Sequence, residues 1–315
     1  MKTNGQTALI TGASSGIGYE LTKLFAQDGY NLVLVSRNTD RLNEIATEFQ
    51  RQYGLEKVTV VGADLAQPET PQRVYDEVQG QGITVNVLVN DAGFGEYGLF
   101  ATETDLQKEL AMIQTNVTAL VHLTKLFLKD MTTRNEGKVL MLASVVSVLP
   151  NPLMAVYGAT KAFILSFSEA LRNELNNTKI TVTALLPGAT NTDFFNRAGS
   201  VGTRAHEQAM KTDAAGVARD GYEALMSGKD KVVSGMMNKA QVAMSRVMPD
   251  PLVTATVRKQ MERSSNGNGQ HEMGQKKQLA TSGSLVGAVV ILGIVAWAYY
   301  NKARYTDFKL SDIKL

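Results

Sequence analysis

The sequence predicts an α/β domain built on a doubly wound parallel sheet, and three observations carry that prediction. Short apolar runs alternate with amphipathic helical stretches from Thr7 to Val233, the pattern of strands joined by right-handed helical crossovers. The first run passes directly into a glycine-rich turn. Most runs end in small or polar residues, at the edge where open parallel sheets bind ligands.

Residues 7–11 (TALIT) read as a buried strand, bounded by Gly12. Thr11-Gly12-Ala13-Ser14-Ser15-Gly16-Ile17-Gly18 then forms a strand-to-helix turn, with glycines where backbone must approach another group closely. A helix carrying Ile17, Leu21, Leu24 and Phe25 follows and ends near Gly29. The N–H groups of such a turn, with the positive end of the helix, suit a pyrophosphate. The strand–turn–helix context is what lends weight to the glycine spacing.

Residues 31–35 (NLVLV) form the second strand, closing on Ser36-Arg37-Asn38. An acidic residue there would accept from the ribose 2′-OH of NAD, whereas an arginine accommodates the 2′-phosphate of NADP. Arg37 occupies the position and no carboxylate does, so NADP(H) is expected in preference to NAD(H). The plainer alternative is a solvated arginine at the start of a helix that also carries Asp40 and Arg41. Residues 57–61 form a third strand, after which Asp64 and Leu65 stand where a strand end touches adenine. Residues 87–89 form a fourth, followed by Asn90-Asp91-Ala92-Gly93. A long helix then carries Met112, Ile113, Asn116, Val117, Leu120 and Leu123. An amide in so apolar a stretch is expensive unless hydrogen-bonded, which makes Asn116 either a packing amide or part of a site.

The fifth strand, residues 138–142, ends at Ala143-Ser144 and turns that serine toward the crevice. Tyr157-Gly158-Ala159-Thr160-Lys161 opens a helix whose apolar face holds Phe163, Ile164, Phe167 and Leu171. Residues four apart share one helical face, so phenol and ammonium lie side by side. A free tyrosine loses its proton near pH ~10, and a nearby cation favours phenolate, bringing that value toward the working range. Tyr and Lys at this spacing also occur on many solvated helices, so the company the pair keeps is what gives it meaning. Residues 180–185 form the sixth strand, closing with Pro187-Gly188-Ala189-Thr190-Asn191-Thr192, and residues 231–233 form the seventh.

Composition bounds what else is possible. With 315 residues, 44% hydrophobic and 20% charged, the chain suits one domain of about 250 residues plus an appendage. Thirty-two basic against 30 acidic residues leave a net charge of +2, so no global field favours nucleic acid. Cysteine is absent, which excludes disulfides and thiolate metal sites. His122, His206 and His271 lack metal-ligand spacing, and no metal is expected.

The N-terminal residues lack the apolar region of a secretory signal. Near the other end, no charge occurs from Gln278 to Asn301. Residues 284–300 read as a transmembrane helix, against the about 17–25 residues a bilayer requires. Trp297, Tyr299 and Tyr300 lie at one edge with Lys302 and Arg304 beyond, as at a membrane interface. The expected organisation is a catalytic domain over 1–263 with a helical extension over 236–263, a linker over 264–283, the membrane segment and a basic tail over 301–315. Local positive charge favours the tail in the cytoplasm, while a nicotinamide cofactor places the catalytic domain there. The cofactor's requirement outweighs the local charge, so a single-pass C-terminal anchor with a cytoplasmic domain is expected.

These residues together resemble the classical short-chain dehydrogenase/reductase family over about residues 5–235. The motifs stand in order: Thr11-Gly-x3-Gly16-x-Gly18, Asp64, Asn90-Asp91-Ala92-Gly93, Asn116, Ser144, Tyr157-x3-Lys161 and Pro187-Gly188. The long C-terminal extension resembles the DltE-like branch. The resemblance implies a three-layer Rossmann-type sheet of about seven strands and hydride transfer between a nicotinamide and a carbonyl carbon. It implies Tyr157 as general acid/base, Ser144 bonded to the substrate oxygen, Lys161 lowering the tyrosine pKa and holding the nicotinamide ribose, and Asn116 anchoring a relay water. Gly12, Ser14, Ser15, Gly16, Ile17, Gly18, Arg37, Asp64, Leu65, Asn90, Ala92, Gly93, Tyr157, Lys161, Pro187, Gly188 and Thr192 would contact the cofactor. Asp91 departs from the asparagine commoner there, a difference expected to touch the cofactor-side loop and leave the chemistry alone.

Phe194, Phe195 and Gly199–Gly202 resemble the family's substrate lid. Val146, Val148, Leu149, Leu153 and Met154 suggest an apolar pocket, although core packing explains some of them equally well. The substrate expected is a ketone or 3-oxoacyl group on a lipid-like molecule, with the membrane and a second copy of the chain as further partners. Two alternatives stay open: an alcohol or hydroxysteroid dehydrogenase working oxidatively, and a non-catalytic NADP(H)-binding sensor.

Overall fold

The computed structural model describes residues 5–245 and 247–264. Seven parallel strands are present: β1 (Thr7–Thr11), β2 (Asn31–Ser36), β3 (Val58–Gly62), β4 (Val87–Asn90), β5 (Gly137–Leu142), β6 (Ile180–Leu186) and β7 (Lys231–Val233). They form one sheet in the order β3-β2-β1-β4-β5-β6-β7. The order reverses between β1 and β4, whose ends lie in register with Thr11 opposite Asn90. The loops after these two strands part company there and leave a crevice.

Helices cover both faces. In chain order they are α1 (Gly16–Gln27), α2 (Thr39–Tyr53), α3 (Thr70–Gly80), α4 (Leu106–Ile113), α5 (Leu120–Arg134), α6 (Ala155–Glu174), α7 (Phe194–Arg197), α8 (Arg204–Ala209), α9 (Ala214–Met226), α10 (Met236–Ser245) and α11 (Asp250–Met261). Strand residues alternate between two cores. Leu9, Val33, Val35 and Leu88 pack with Val74, Leu123, Phe127 and Ile164 of α3, α5 and α6. Ala8, Ile10, Leu32 and Leu34 pack with Leu21, Phe25, Ile45 and Leu225 of α1, α2 and α9. The period of two sends successive side chains to opposite layers, and burying residues such as Phe25 and Phe127 contributes roughly 1.5–3 kcal/mol each. A third, smaller cluster joins Leu149, Met154 and Ala198 to Val253, Val257 and Met261 of α11. It ties the C-terminal extension to the mouth of the crevice.

The stretch predicted as one long helix is α4 and α5 joined by a π-turn over Gln114–Ala119. The extra residue in that turn shifts the phase of everything after it, and Asn116 lies at its centre. The expected extension over 236–263 is present as α10 and α11. Among the described residues no helix is long and apolar enough to cross a membrane. The expected linker, membrane segment and basic tail lie outside the described residues, apart from Ser264.

Candidate active site

One crevice of about 630 Å³ runs across the carboxyl ends of the strands. Its first wall is the turn between β1 and α1. Gly12 (φ +73°) and Gly16 (φ +60°) sit in the left-handed region, open to glycine at little cost. A Cβ at Gly12 would fall 2.8 Å from the Asp91 carboxylate, and one at Gly18 would fall 2.5 Å from it. No side chain fits on the underside of the turn. Its upper side, with Ser14, Ser15, Gly16 and Ile17, lines the crevice. Ser15 caps α1 without a side-chain hydrogen bond to the first turn, which leaves helix N–H groups for an anion. This cradle fits a dinucleotide pyrophosphate.

Along the same wall lie Arg37, Asp64, Leu65, Ala92 and Gly93. Arg37 is exposed at the rim, and its guanidinium makes no ion pair among the described residues. Arg41, by contrast, pairs with Glu44 and lies over the Tyr19 ring. Asp64 accepts the Ala66 N–H at 3.2 Å, which shapes the turn after β3. Pro187, Gly188 and Thr192 follow β6 and close the crevice opposite the glycine turn, Thr192 lying against Gly16.

Asn90 does not line the crevice. It shares Leu88's face of β4, and its amide donates to Thr124 of α5 at 2.9 Å. The alternation of β4 contains that answer, since Val87 and Val89 belong to the other core. Gly18 serves from beneath, through its contact with Asp91.

The second wall holds the residues expected to carry the chemistry. Tyr157 and Lys161 lie one turn apart on α6, with the ammonium 5.8 Å from the centre of the phenol ring. Lys161 is buried and donates to the Leu142 carbonyl at the end of β5, at 2.6 Å. Ser144 follows that strand. Its hydroxyl donates to Pro187 O at 3.3 Å, accepts from Val146 N–H at 3.3 Å and is hydrogen-bonded to the Tyr157 phenol. Ser147 links the turn Val145–Val148 to α6: it accepts from Ser144 N–H and donates to Lys161 O at 2.8 Å. Nothing in its local sequence marks that bridge.

The electrostatics differ from the expectation. Burial pushes the Tyr157 pKa above its ordinary value, against the Ser144 hydrogen bond that lowers it and with a further push from Asp91. The predicted acidification of the phenol by Lys161 is not what governs the site, because desolvation outweighs it. Burial also brings Lys161 down to about 8, opposed by Asp91. Asp91 itself is pushed up to about 7 by burial, against the pull of Lys161 and a Gly18 N–H. Asp91 therefore bears on both groups of the Tyr–Lys pair, which corrects its expected confinement to the cofactor loop.

Asn116 is fully engaged as a clamp. Its Oδ1 accepts Phe94 N–H at 3.1 Å, while its Nδ2 donates to Phe94 O at 3.0 Å and to Thr160 Oγ1 at 3.1 Å. Thr160 in turn donates to Tyr157 O at 2.8 Å. With both amide donors committed to protein, the side chain fixes the 92–95 loop against α6 and keeps little capacity for a relay water.

The remaining lining is apolar with amide edges. Phe194 packs on Tyr157 with ring centres 5.1 Å apart, and Leu149, Met154, Val257 and Met261 extend the surface. Asn151, Gln208, Gln241 and Gln260 supply the polar groups there. The expected lid is tied down: Tyr97 N–H donates to Ala198 O, Tyr97 OH donates to Met261 O, and Thr203 pairs with Arg263.

A family model described as short chain dehydrogenase matches residues 6–200. The chain belongs to the short chain dehydrogenase family. Human 17-beta-hydroxysteroid dehydrogenase type 3 is 33% identical over 193 residues, 61% of each chain. The very-long-chain 3-oxoacyl-CoA reductase of Anas platyrhynchos is 34% identical over 190 residues, 58% of this chain and 59% of that one. The match thus spans about three fifths of the length of these curated relatives. Among solved structures, a short-chain dehydrogenase from Sphingobium yanoikuyae in complex with NADPH superposes with a TM-score of 0.67 at 28% identity. It covers 78% of this chain and 96% of its own. The Sphingobium yanoikuyae structure holds NADPH, and a similar short chain dehydrogenase/reductase from Burkholderia phymatum holds NAD.

Proposed function

We propose that this short-chain dehydrogenase is an NADPH-dependent reductase of a ketone or 3-oxoacyl group on an apolar, lipid-like substrate. The observation that carries the reading is the meeting, in one crevice, of a protonated tyrosine with a serine hydroxyl at the end of β5 and an apolar wall from α7 and α11. When bound, the reduced nicotinamide supplies hydride to the carbonyl carbon. The phenol of Tyr157, kept protonated by burial, delivers the proton to the carbonyl oxygen. Ser144 holds that oxygen in line with the phenol. Lys161 sets the potential around the phenol from its seat on Leu142 O and lies within reach of a ribose beside Gly93. Ser14, Ser15 and Gly16 hold the phosphates, Arg37 reads a 2′-phosphate, Asp64 and Leu65 border the adenine, and Pro187, Gly188 and Thr192 border the nicotinamide.

Steady-state rates with NADPH and NADH over a panel of long 3-oxoacyl thioesters and steroid ketones test this reading. The expected result is turnover of the apolar members with NADPH preferred. Reduction confined to small polar carbonyls would refute the substrate class, and NADH preferred over NADPH would refute the role of Arg37. Hydroxysteroid oxidation is the second reading, favoured by the names of the 17-beta-hydroxysteroid relatives; the same panel run with NADP+ and steroid alcohols decides the direction.

The uncharged run from Gln278 to Asn301 supports anchoring of the protein to a membrane by its C-terminal segment, with the catalytic domain in the cytoplasm. Carbonate extraction should leave the full chain in the membrane pellet, and release into the supernatant would dismiss the anchor. Protection of the tail from protease in intact membranes reads its orientation.

A further inference from the structure

Asp91 is an ionisable residue placed against the underside of the glycine turn. Its carboxylate lies within contact distance of the positions a Cβ would take on Gly12 and Gly18, and it accepts the Gly18 N–H. Its second oxygen, Oδ1, is buried without a hydrogen-bond partner. The backbone N–H of Asp91 is held by Thr11 Oγ1 at 3.1 Å, which fixes its main chain beside the β1–β4 pair. The ionisable groups that bear on it are Lys161 and Tyr157, both from α6. From β1 and α1 it meets glycine backbone and the Thr11 hydroxyl.

The upper side of that same turn is the cradle described above for an anion. Two negative charges would then face each other across a strip of glycine backbone, each raising the energy of the other. Only one of the two can give up its charge at neutral pH. An unpartnered carboxyl oxygen is also the atom on which a proton would sit. We propose that Asp91 is a proton-exchanging residue of the nucleotide site, whose carboxyl takes up one proton from solvent as an anionic dinucleotide settles on the glycine turn. This inference rests on the cofactor reading given above.

Two consequences follow. Dinucleotide affinity depends on pH, strengthening as pH falls through neutrality, where Asp91 titrates. An asparagine at position 91 keeps the hydrogen bond from Gly18 and removes the titration. Asp91 is a positioning residue in this scheme: it acts on the cofactor through the turn and on Tyr157 through charge.

Infrared difference spectra of the full chain on addition of NADPH, slightly above neutral pH, read the proton directly. The carbonyl stretch of a protonated carboxylic acid should grow on binding, shift in D2O and be missing in Asp91→Asn; Lys161 has no band in that region. In parallel, NADPH fluorescence titrations across pH should show tighter binding at acid pH for the native chain and a flatter profile for Asp91→Asn. Thermal melting of the variant checks that it folds; should it not, the native chain's own spectrum and pH profile decide. Bound NADPH without a new acid band, or the same band in Asp91→Asn, overturns the inference while leaving the cofactor reading intact. Failure of NADPH to bind at any pH removes the cofactor reading, and this inference with it.

Discussion

The nucleotide wall of the crevice hangs from the ends of β1, β2, β3 and β4, whose registers the sheet fixes, whereas the substrate wall is closed by α7, α8, α10 and α11. In the first, backbone does much of the binding, and side chains are excluded by contacts such as those beneath Gly12 and Gly18. In the second, side chains do the work, and the backbone is held by a few long-range bonds, among them Tyr97 to Met261 and Arg204 to Glu262. Tyr157 and Ser144 stand at the seam. In the proposed reading the cofactor lies at the strand ends and the chemistry at the start of α6, while the choice of substrate falls to the helices that follow β6.

The predictions sharpen that division. Tyr157→Phe, at the seam, should lose about 10²–10⁴ in kcat while NADPH fluorescence titration gives an affinity within about twofold of native. Undiminished turnover would remove the tyrosine from the chemistry. Arg37→Leu acts on the nucleotide wall alone. Loss of a charge-assisted contact worth about 1.5–3 kcal/mol should cut kcat/KM with NADPH by roughly 10–100-fold and leave NADH rates unchanged. A change in the carbonyl-substrate KM at saturating NADPH would show that the two walls are coupled.

Met261→Ala probes the other side. It deletes a buried contact shared with Leu149 and Met154, so the substrate KM should rise several-fold and stability should fall by about 2 kcal/mol, with NADPH affinity untouched. A smaller effect is expected from pH. Lys161 titrates near 8 because burial disfavours its charge: it is cationic below that value and neutral above. In the proposed mechanism the positive potential it lends Tyr157 is therefore present on the acid side and lost as pH rises. At saturating NADPH, kcat/KM for the carbonyl substrate should be flat below about 8 and decline above it, by no more than tenfold per unit; a profile level to far higher pH would exclude Lys161 as the group behind the decline.

Much of the nucleotide wall was legible because it is local. Strand, turn and helix follow within a few residues around Gly12–Gly18, and a period of two or 3.6 assigns each face. The seven strands were placed to within a residue or two at their ends for the same reason. What escaped was non-local or depended on burial. Asn90 reads in sequence as a ligand-facing amide, but the phase of β4 turns it toward Thr124. Asn116 reads as a polar residue in an apolar helix, but its bonds to Phe94 depend on a π-turn that no spacing announces. Tyr157 is pushed up where the pairwise expectation has it lowered, because a neighbour's charge is visible in sequence and desolvation is not. Asn238 packed on Gly188, and Gln241 beside Gln260, belong to a helical extension that reaches the crevice through long-range contacts.

The π-turn at Gln114–Ala119 also has a meaning for how this chain tolerates change. One surplus residue is wound into a helix that would otherwise be regular, and each residue turns a helix by about 100°. Deleting a single residue there would let the backbone relax into an unbroken helix, an easier local shape. It would also swing Asn116 off the Phe94 peptide and release the loop that carries Gly93 past Lys161. The most comfortable helix at this point would be an inactive one: a one-residue deletion here should be far gentler on folding than one within α5, where it would turn Leu123 and Phe127 off the core, and should still abolish turnover.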